Sequence, residues 1–173
     1  MFGLIVLESM FLIAIGLIIV FFVGYYTDPN FLFHAHPTDE QLIQNFEQHK
    51  SEFQKLANLL MAEKELLVIL PDSGQCQYTN LKSISIGDNP SCAHFVQIFR
   101  DLGLDWAYTG NGNSDLWLTV STSGLAVSGS SKGYYYAVDG IPSYTKIVEN
   151  TDKADGNELL RHIEGNWYIF FSH

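Results

Sequence analysis

The sequence predicts an α+β protein in which one N-terminal transmembrane helix precedes a single domain with two helices packed on one face of an antiparallel sheet. Three observations predict this class. The chain begins almost continuously apolar, two later segments repeat apolar residues at helical spacing, and the segment after residue 105 alternates with a period of two. Because the helical segments come before a run of hairpins, we expect the helices to cover one face of the sheet.

The first segment has the length and composition of a membrane span. Between residues 2 and 23 the only polar side chains are those of Glu8 and Ser9. At ~1.5 Å per residue such a helix crosses the ~30 Å hydrocarbon layer of a bilayer. A cleaved signal peptide is the competing interpretation, but the segment has no basic n-region and no small-x-small cleavage site. We therefore predict a retained anchor.

This prediction divides the chain into an anchor over 1–26, a linker over 27–37 and a soluble domain over 38–173. No Lys or Arg occurs before Lys50. Since cytoplasmic flanks of membrane helices are enriched in basic residues, we predict a single-pass inner-membrane protein with a periplasmic C-terminal domain. Glu8 either reaches the headgroups or contacts a second membrane helix, and in the latter case the chain is a subunit of a membrane complex.

Two segments of the domain are predicted to be helical. Thr38 is placed as an N-cap and Gln41 completes a capping box. An apolar stripe then continues to residues 63–65, which predicts one long helix. The second predicted helix spans Pro90–Leu102, with Gly103 as its C-terminal cap.

The remaining periodic segments are predicted to be strands. An apolar run and an alternating run come before the second helix, and several β-rich segments separated by Gly and Asn turns come after it. The predicted strands are Leu66–Leu70, 81–86, 106–109, 115–122, 124–128, 132–138 and 166–172.

Charge restricts the possible partners. The chain has 19 Asp and Glu against 9 Lys and Arg, a net charge of −10. Because this excess repels phosphate groups and no basic run occurs, we expect no nucleic acid partner, while a basic protein is a possible one. No phosphate-binding loop, Gly-x-Ser-x-Gly motif or zinc motif is present, so no cofactor, metal ion or catalytic residue is predicted.

Cys76 and Cys92 are candidates for a disulfide. In an oxidising compartment a bridge across this loop would contribute ~3 kcal/mol in the chain-entropy model. In a reducing compartment the two residues would remain buried thiols. The sequence leaves both states open.

Two segments have the composition of a recognition surface. Residues 128–136 join a hydroxyl-rich turn to three tyrosines, and residues 161–168 place Arg, His and Glu before an aromatic strand. A Tyr-lined sheet with a capped, salt-bridged turn would have the same composition, so a purely structural role is the alternative. The candidate binding residues are Lys132, Tyr134, Tyr136, Arg161, His162, Glu164 and Trp167.

At these segments, and over most of its length, the chain resembles a family of small uncharacterised proteins of Gram-negative bacteria. They share an N-terminal apolar segment, an early amphipathic helix, a Ser-Lys-Gly-Tyr stretch and an Arg-x-Ile-x-Gly-x-Trp-Tyr ending. Here the two motifs are Ser131 to Tyr134 and Arg161 to Tyr168. The resemblance implies a bacterial envelope protein and implies no catalytic residues.

These observations favour a membrane-anchored periplasmic module that binds another protein. One form of such a module is an immunity protein that neutralises a secreted antibacterial toxin. The alternative is a cell-envelope hydrolase with Arg161, His162 and Glu164 as site residues. That alternative requires the three side chains to converge in one concave pocket.

Overall fold

The computed structural model describes residues 35–62, 66–70, 74–78, 83–85, 90–109, 115–124 and 129–173. Within these residues the chain forms three helices and nine strands. The helices are α1 (Asp39–Gln48), α2 (Lys50–Ala62) and α3 (Pro90–Leu102). The strands are β1 (Leu66–Leu70), β2 (Gln75–Tyr78), β3 (Ser83–Ser85), β4 (Trp106–Thr109), β5 (Asp115–Ser123), β6 (Ser130–Ala137), β7 (Lys146–Ile147), β8 (Glu158–Glu164) and β9 (Trp167–Ser172).

All nine strands belong to one sheet in the order β3-β2-β1-β4-β5-β6-β9-β8-β7. Strands β4, β5 and β6 form an antiparallel meander, as the alternating sequence predicts. The chain then crosses over through residues 138–157 and adds β8 beside β9, with the two-residue strand β7 pairing parallel to β8. The sheet is therefore mixed.

The three helices cover one face of the sheet, which we call the helix face. Their apolar residues form one buried cluster with the strand residues that point the same way. Tyr134 lies near the middle, with the ring of Phe53 at 4.6 Å and the ring of Phe46 at 6.3 Å. Because side chains alternate along a strand, the residues on either side of Tyr134 point to the opposite face, which we call the outer face.

Cys76 of β2 and Cys92 of α3 are joined by a disulfide, with Cα atoms 5.9 Å apart. Both cysteines are fully buried on the helix face. The bridge connects the first turn of α3 to the edge region of the sheet. It also closes the loop that contains β3.

The predicted long first helix is interrupted at His49. The backbone of His49 leaves the helical region, and its N–H donates to the carbonyls of Asn45 and Phe46, at 3.1 and 3.2 Å. The break lets Phe46 and Phe53, one from each helix, meet around Tyr134. The apolar stripe continues across the break, which is why periodicity alone does not reveal it. The predicted capping box of Thr38 and Gln41 is present.

The predicted fold class is therefore wrong, although the described domain is α+β. Three helices rather than two pack on the sheet, and the sheet is mixed rather than antiparallel. None of the described helices is long and apolar enough to cross a bilayer, since the longest has 13 residues. The predicted transmembrane segment, 1–26 with Glu8, lies outside the described residues.

Several strands differ from the sequence prediction. Strand β2 was not predicted, because its four residues give too little alternation for a pattern. Strand β8 was not predicted either, because its polar residues Arg161, His162 and Glu164 give no alternating pattern that would reveal the buried Leu159 and Leu160. Of the strand predicted at 124–128, Gly124 lies in a bend and 125–128 lie outside the described residues.

Candidate functional site

The predicted binding residues do not form one site. Arg161 and His162 are neighbours on β8 and point to opposite faces of the sheet. Arg161 Nη1 lies 3.2 Å from Asp39 Oδ2 on the helix face. The His162 ring lies 5.0 Å from the ring of Tyr168 on the outer face. Arg161, His162 and Glu164 therefore do not converge in one pocket, which the hydrolase alternative required.

Lys132 is the centre of a buried ion-pair network at the start of α1. Its ammonium lies 2.8 Å from Asp39 Oδ1 and also contacts Asp152 Oδ1. The Lys132 side chain is 1 % exposed and that of Asp39 is 0 % exposed. A buried charge is tolerated only when it is paired, and here each charge has an opposite charge beside it.

Hydrogen bonds complete this network around Asp39. The N–H of Thr151 donates to Asp39 Oδ2 at 2.7 Å, and the Thr151 hydroxyl contacts Asp39 Oδ1. Burial acts to raise the pKa of Asp39, but the hydrogen bonds from Lys132 and Thr151 outweigh it and the pKa is lowered. The carboxylate is thus ionised and fully engaged, which indicates a structural role for Lys132 and Arg161.

Tyr134 is also part of the core. Its ring is fully buried, and its hydroxyl donates to the carbonyl of Leu42 at 2.9 Å and lies 3.1 Å from Asn45 Nδ2. Burial raises the pKa of the Tyr134 hydroxyl, and the hydrogen bond from Asn45 partly opposes that effect. Tyr134 therefore anchors α1 to the centre of the sheet and is closed to a partner.

Tyr136, Glu164 and Trp167 lie beside a broad cleft of about 760 Å³ between the helices and the β8–β9 turn. The ring of Tyr136 lies 4.8 Å from that of Trp167. Lys50 Nζ approaches Glu164 Oε1 at 2.5 Å across the rim, with both side chains more than half exposed. Lys50 and Glu164 neutralise one another, so this pair offers a ligand no uncompensated charge.

His36, predicted to lie in a linker, packs against the sheet. Its ring nitrogens each lie 2.7 Å from a serine hydroxyl, Nδ1 from Ser121 on β5 and Nε2 from Ser130 on β6. Burial lowers the pKa of His36, and the nearby charge of Lys132 lowers it further. A neutral ring with one donor and one acceptor nitrogen suits this position between two hydroxyls. Among the described residues, no group of three or more His, Cys, Asp or Glu side chains is placed to hold a metal ion.

The outer face carries a continuous row of aromatic residues. The strand register places five rings side by side across β4, β5, β6, β9 and β8. The rings of Trp117 and Tyr135 are 4.4 Å apart, and those of Trp117 and Phe170 are 5.1 Å apart. The row consists of Tyr108, Trp117, Tyr135, Tyr168 and His162.

Beside this row the outer face has a gap at Gly133. The register places Thr119 on one side of Gly133 and Phe170 on the other. No side chain fits at position 133, because β5 approaches so closely that an added Cβ would lie 2.0 Å from the Leu118 carbonyl oxygen. A cavity of about 280 Å³ lies in this region of the outer face. It is lined by Trp106, Tyr108, Trp117, Thr119, Ser131, Tyr144, Glu158, Phe170 and Ser172.

Thr119, one of the residues that line this cavity, has an unpaired hydroxyl. The residue is 0 % exposed, and its Oγ1 has no hydrogen-bond partner among the described residues. Leaving a buried polar group unpaired costs about 1–3 kcal/mol. Unexplained unpaired groups in folded proteins are few. Because this hydroxyl is closed to solvent, a ligand atom could pair with it only after the side chains that cover it have moved apart.

Carboxylates make the surroundings of the cavity negative. Glu158 accepts a hydrogen bond from Ser172 at 2.7 Å, and Asp115 accepts one from Tyr135 at 2.6 Å. Burial raises the pKa of Tyr144, and the charges of Glu158 and Asp115 raise it further. Tyr144, which lines the cavity at its mouth, is 68 % exposed.

Most of this site was missed in the sequence. The alternation of Trp106 with Tyr108 and of Trp117 with Thr119 places four lining residues on one face, which was the available signal. Tyr144 and Glu158 come from the crossover and from an unpredicted strand, so no local pattern joins them to the others. Gly133 and Ser131 lie in the Ser-Lys-Gly-Tyr segment noted in the sequence. The candidate binding residues of this region, Lys132, Tyr134 and Tyr136, point to the helix face.

No family model, curated protein sequence or solved structure matches the chain. The resemblance described from the two C-terminal motifs therefore stays a prediction. Function must be argued from the site itself.

Proposed function

We propose that this protein is a non-enzymatic binding module of the bacterial cell envelope that docks a basic protein on the outer face of its sheet, outside the cytoplasm. The observation that carries the proposal is the outer-face cavity. It combines exposed and half-buried aromatic rings, a carboxylate and an unpaired hydroxyl, which are the groups that anchor a partner side chain at protein interfaces.

Charge supports a basic partner. The chain carries a net charge of −10, and Glu158 and Asp115 lie at the outer face. A negative surface accelerates association with a positive one and disfavours acidic partners. An immunity protein that intercepts a basic toxin is one form of this module.

The disulfide supports the location. Disulfides persist in oxidising compartments such as the periplasm and are rare in the cytosol. Cys76 and Cys92 are bridged on the helix face, so neither cysteine takes part in the outer-face cavity. A structural bridge of this kind fits a protein that folds outside the cytoplasm.

Site-specific photo-crosslinking of the full chain in living cells tests the proposal. A photoreactive residue at Tyr144, at the mouth of the cavity, should give one discrete adduct with a basic protein. The matched control is a photoreactive residue at Gln97, which is exposed on α3 behind the opposite face. That position should give no such adduct.

The captured protein is then purified and mixed with the purified domain. Binding that weakens as salt increases supports the proposal, because charge attraction is screened by ions. Equal adducts at positions 144 and 97, no adduct at either, or an acidic partner would contradict it.

A further inference from the structure

The outer-face cavity has features that specify its occupant more closely. It is small, about 280 Å³, and lies where Gly133 leaves a gap between Thr119 and Phe170. A folded surface cannot enter such a space, whereas one side chain can. If the partner is a protein, as proposed above, the occupant is therefore a single residue that this partner projects into the cavity.

Charge restricts that residue further. Glu158 lines the cavity, and Asp115 lies at the end of the same face, where it accepts a hydrogen bond from Tyr135. Besides burial, the negative charges of both carboxylates raise the pKa of Tyr144, which lies at the mouth of the cavity. An anionic side chain would be repelled here, and a cationic one would be attracted.

The walls favour a flat cation over a compact one. Trp106, Trp117 and Tyr144 present aromatic rings, and cations are attracted to ring faces. A guanidinium is planar, stacks on such rings and is more weakly hydrated than an ammonium. It also has five N–H donors, and therefore needs several acceptors in one small volume.

The acceptors are present. Thr119 Oγ1 is buried and unpaired among the described residues, and Ser131 and Ser172, which also carry hydroxyls, line the same space. Glu158 supplies a carboxylate, which accepts a hydrogen bond from Ser172. A guanidinium can donate to this carboxylate, and its remaining N–H groups can donate to the Thr119 hydroxyl once the side chains that cover this hydroxyl have moved apart.

We propose that the outer-face cavity binds the guanidinium of an arginine side chain, stacked between the aromatic walls and hydrogen-bonded to Glu158 and Thr119. This proposal rests on the proposed function, because it names the anchor residue of the basic partner. It assigns Thr119 and Glu158 as binding residues and Trp106, Trp117 and Tyr144 as the enclosing walls.

The test uses three short peptides that differ at one position, Ac-Gly-X-Gly-amide, where X is arginine, citrulline or lysine. Citrulline has nearly the shape of arginine but no charge. Binding to the purified protein is followed by the NMR shifts of the indole N–H groups of Trp106 and Trp117. The arginine peptide should shift both signals and bind roughly ten-fold more tightly than the citrulline peptide. Lysine should bind between the two.

Matched variants locate the contacts. Glu158→Gln keeps the shape and removes the charge, and should weaken arginine binding roughly ten-fold while leaving citrulline unaffected. Thr119→Val removes the unpaired hydroxyl and should weaken arginine binding a few-fold while the protein stays folded. The controls are Glu149→Gln, an exposed carboxylate on a loop, and Thr122→Val, an exposed residue of β5 outside the cavity. Both controls should bind like the unmodified protein.

Equal binding of arginine and citrulline, binding of arginine without shifts at the two indoles, or unchanged affinity in Glu158→Gln would overturn the proposal. The two proposals fail separately. If a basic partner still crosslinks at position 144 but the arginine peptide does not bind, only the proposed arginine anchor is contradicted. If the arginine peptide binds but no partner crosslinks, the proposed docking function is contradicted.

Discussion

Lys132 Nζ and Asp39 Oδ1 lie 2.8 Å apart with both side chains closed to solvent. This pair connects the first turn of α1 to β6. Ser131 and Gly133, the neighbours of Lys132 on β6, lie beside the outer-face cavity. Lys132 itself points to the helix face, so the ion-pair network and the cavity lie on opposite faces of this strand. The pair therefore fixes the strand beneath the cavity.

Replacing Lys132 by Met should destabilise the domain strongly. The methionine would leave Asp39 buried beside only Arg161 and Thr151, and removing one partner of a buried pair costs about 3–5 kcal/mol. Urea unfolding measures this change. The control is Lys50→Met, which breaks an exposed pair with Glu164 and should cost less than about 1 kcal/mol. A small effect of Lys132→Met would show that the pair contributes little.

Stability should fall in acid because of Asp39. The pKa of Asp39 is lower in the folded protein than its ordinary value of 3.8. A lowered folded pKa means that the unfolded chain binds the proton first as pH falls, so the contribution is complete above 3.8 and is lost as pH falls through the folded pKa.

Urea midpoints measured between neutral pH and strongly acidic pH check this dependence. The Asp39→Asn variant should be less stable at neutral pH, and its stability should decline less in acid than that of the unmodified protein. Parallel declines in the two proteins would assign the acid sensitivity to other carboxylates.

Reducing the Cys76–Cys92 bridge should lower stability without disrupting the outer face. The two cysteines are 16 residues apart in sequence, and a loop of this length corresponds to about 3 kcal/mol in the chain-entropy model. The double variant Cys76→Ala and Cys92→Ala should therefore unfold at lower urea. Alkylation of thiols in intact cells gives the redox state directly, and fully alkylated cysteines would contradict a location outside the cytoplasm.

Gly133→Ala should destabilise the meander. The added Cβ would lie 2.0 Å from the Leu118 carbonyl oxygen and 2.9 Å from Thr119 Cα, so β5 and β6 would have to separate. We expect a loss of about 1–3 kcal/mol, measured by thermal or urea unfolding. Gly165→Ala is a useful comparison, because an added Cβ meets nothing within 4 Å there and only the positive φ of 55° opposes it. If both variants lost the same free energy of unfolding, the close approach of β5 to β6 would not explain the effect at Gly133.

The sequence predicted the elements whose signals are local. The capping box at Thr38, the helix Pro90–Leu102 and the alternation of β4 to β6 depend on nearby residues, and all three are present. The break at His49 and strand β8 depend on what packs against them, so their local patterns were misleading.

The site was harder to predict for the same reason. Arg161, Lys132 and Tyr134 have the composition of a binding surface, yet they bond to Asp39 and Leu42 on the helix face. The residues of the outer-face cavity come from five strands and a crossover. Only the register brings Thr119, Gly133 and Phe170 into one row.

The attachment of His36 bears on how the domain would respond to mechanical load. His36 contacts Ser121 and Ser130, on two central strands, and Asp39 follows three residues later with its ion pairs. Tension applied at the N-terminal side of residue 35 would therefore reach the middle of the sheet directly. The packing of α1 and α2 would carry no load until the His36 contacts ruptured, and Asp39, in the first turn of α1, would be loaded next.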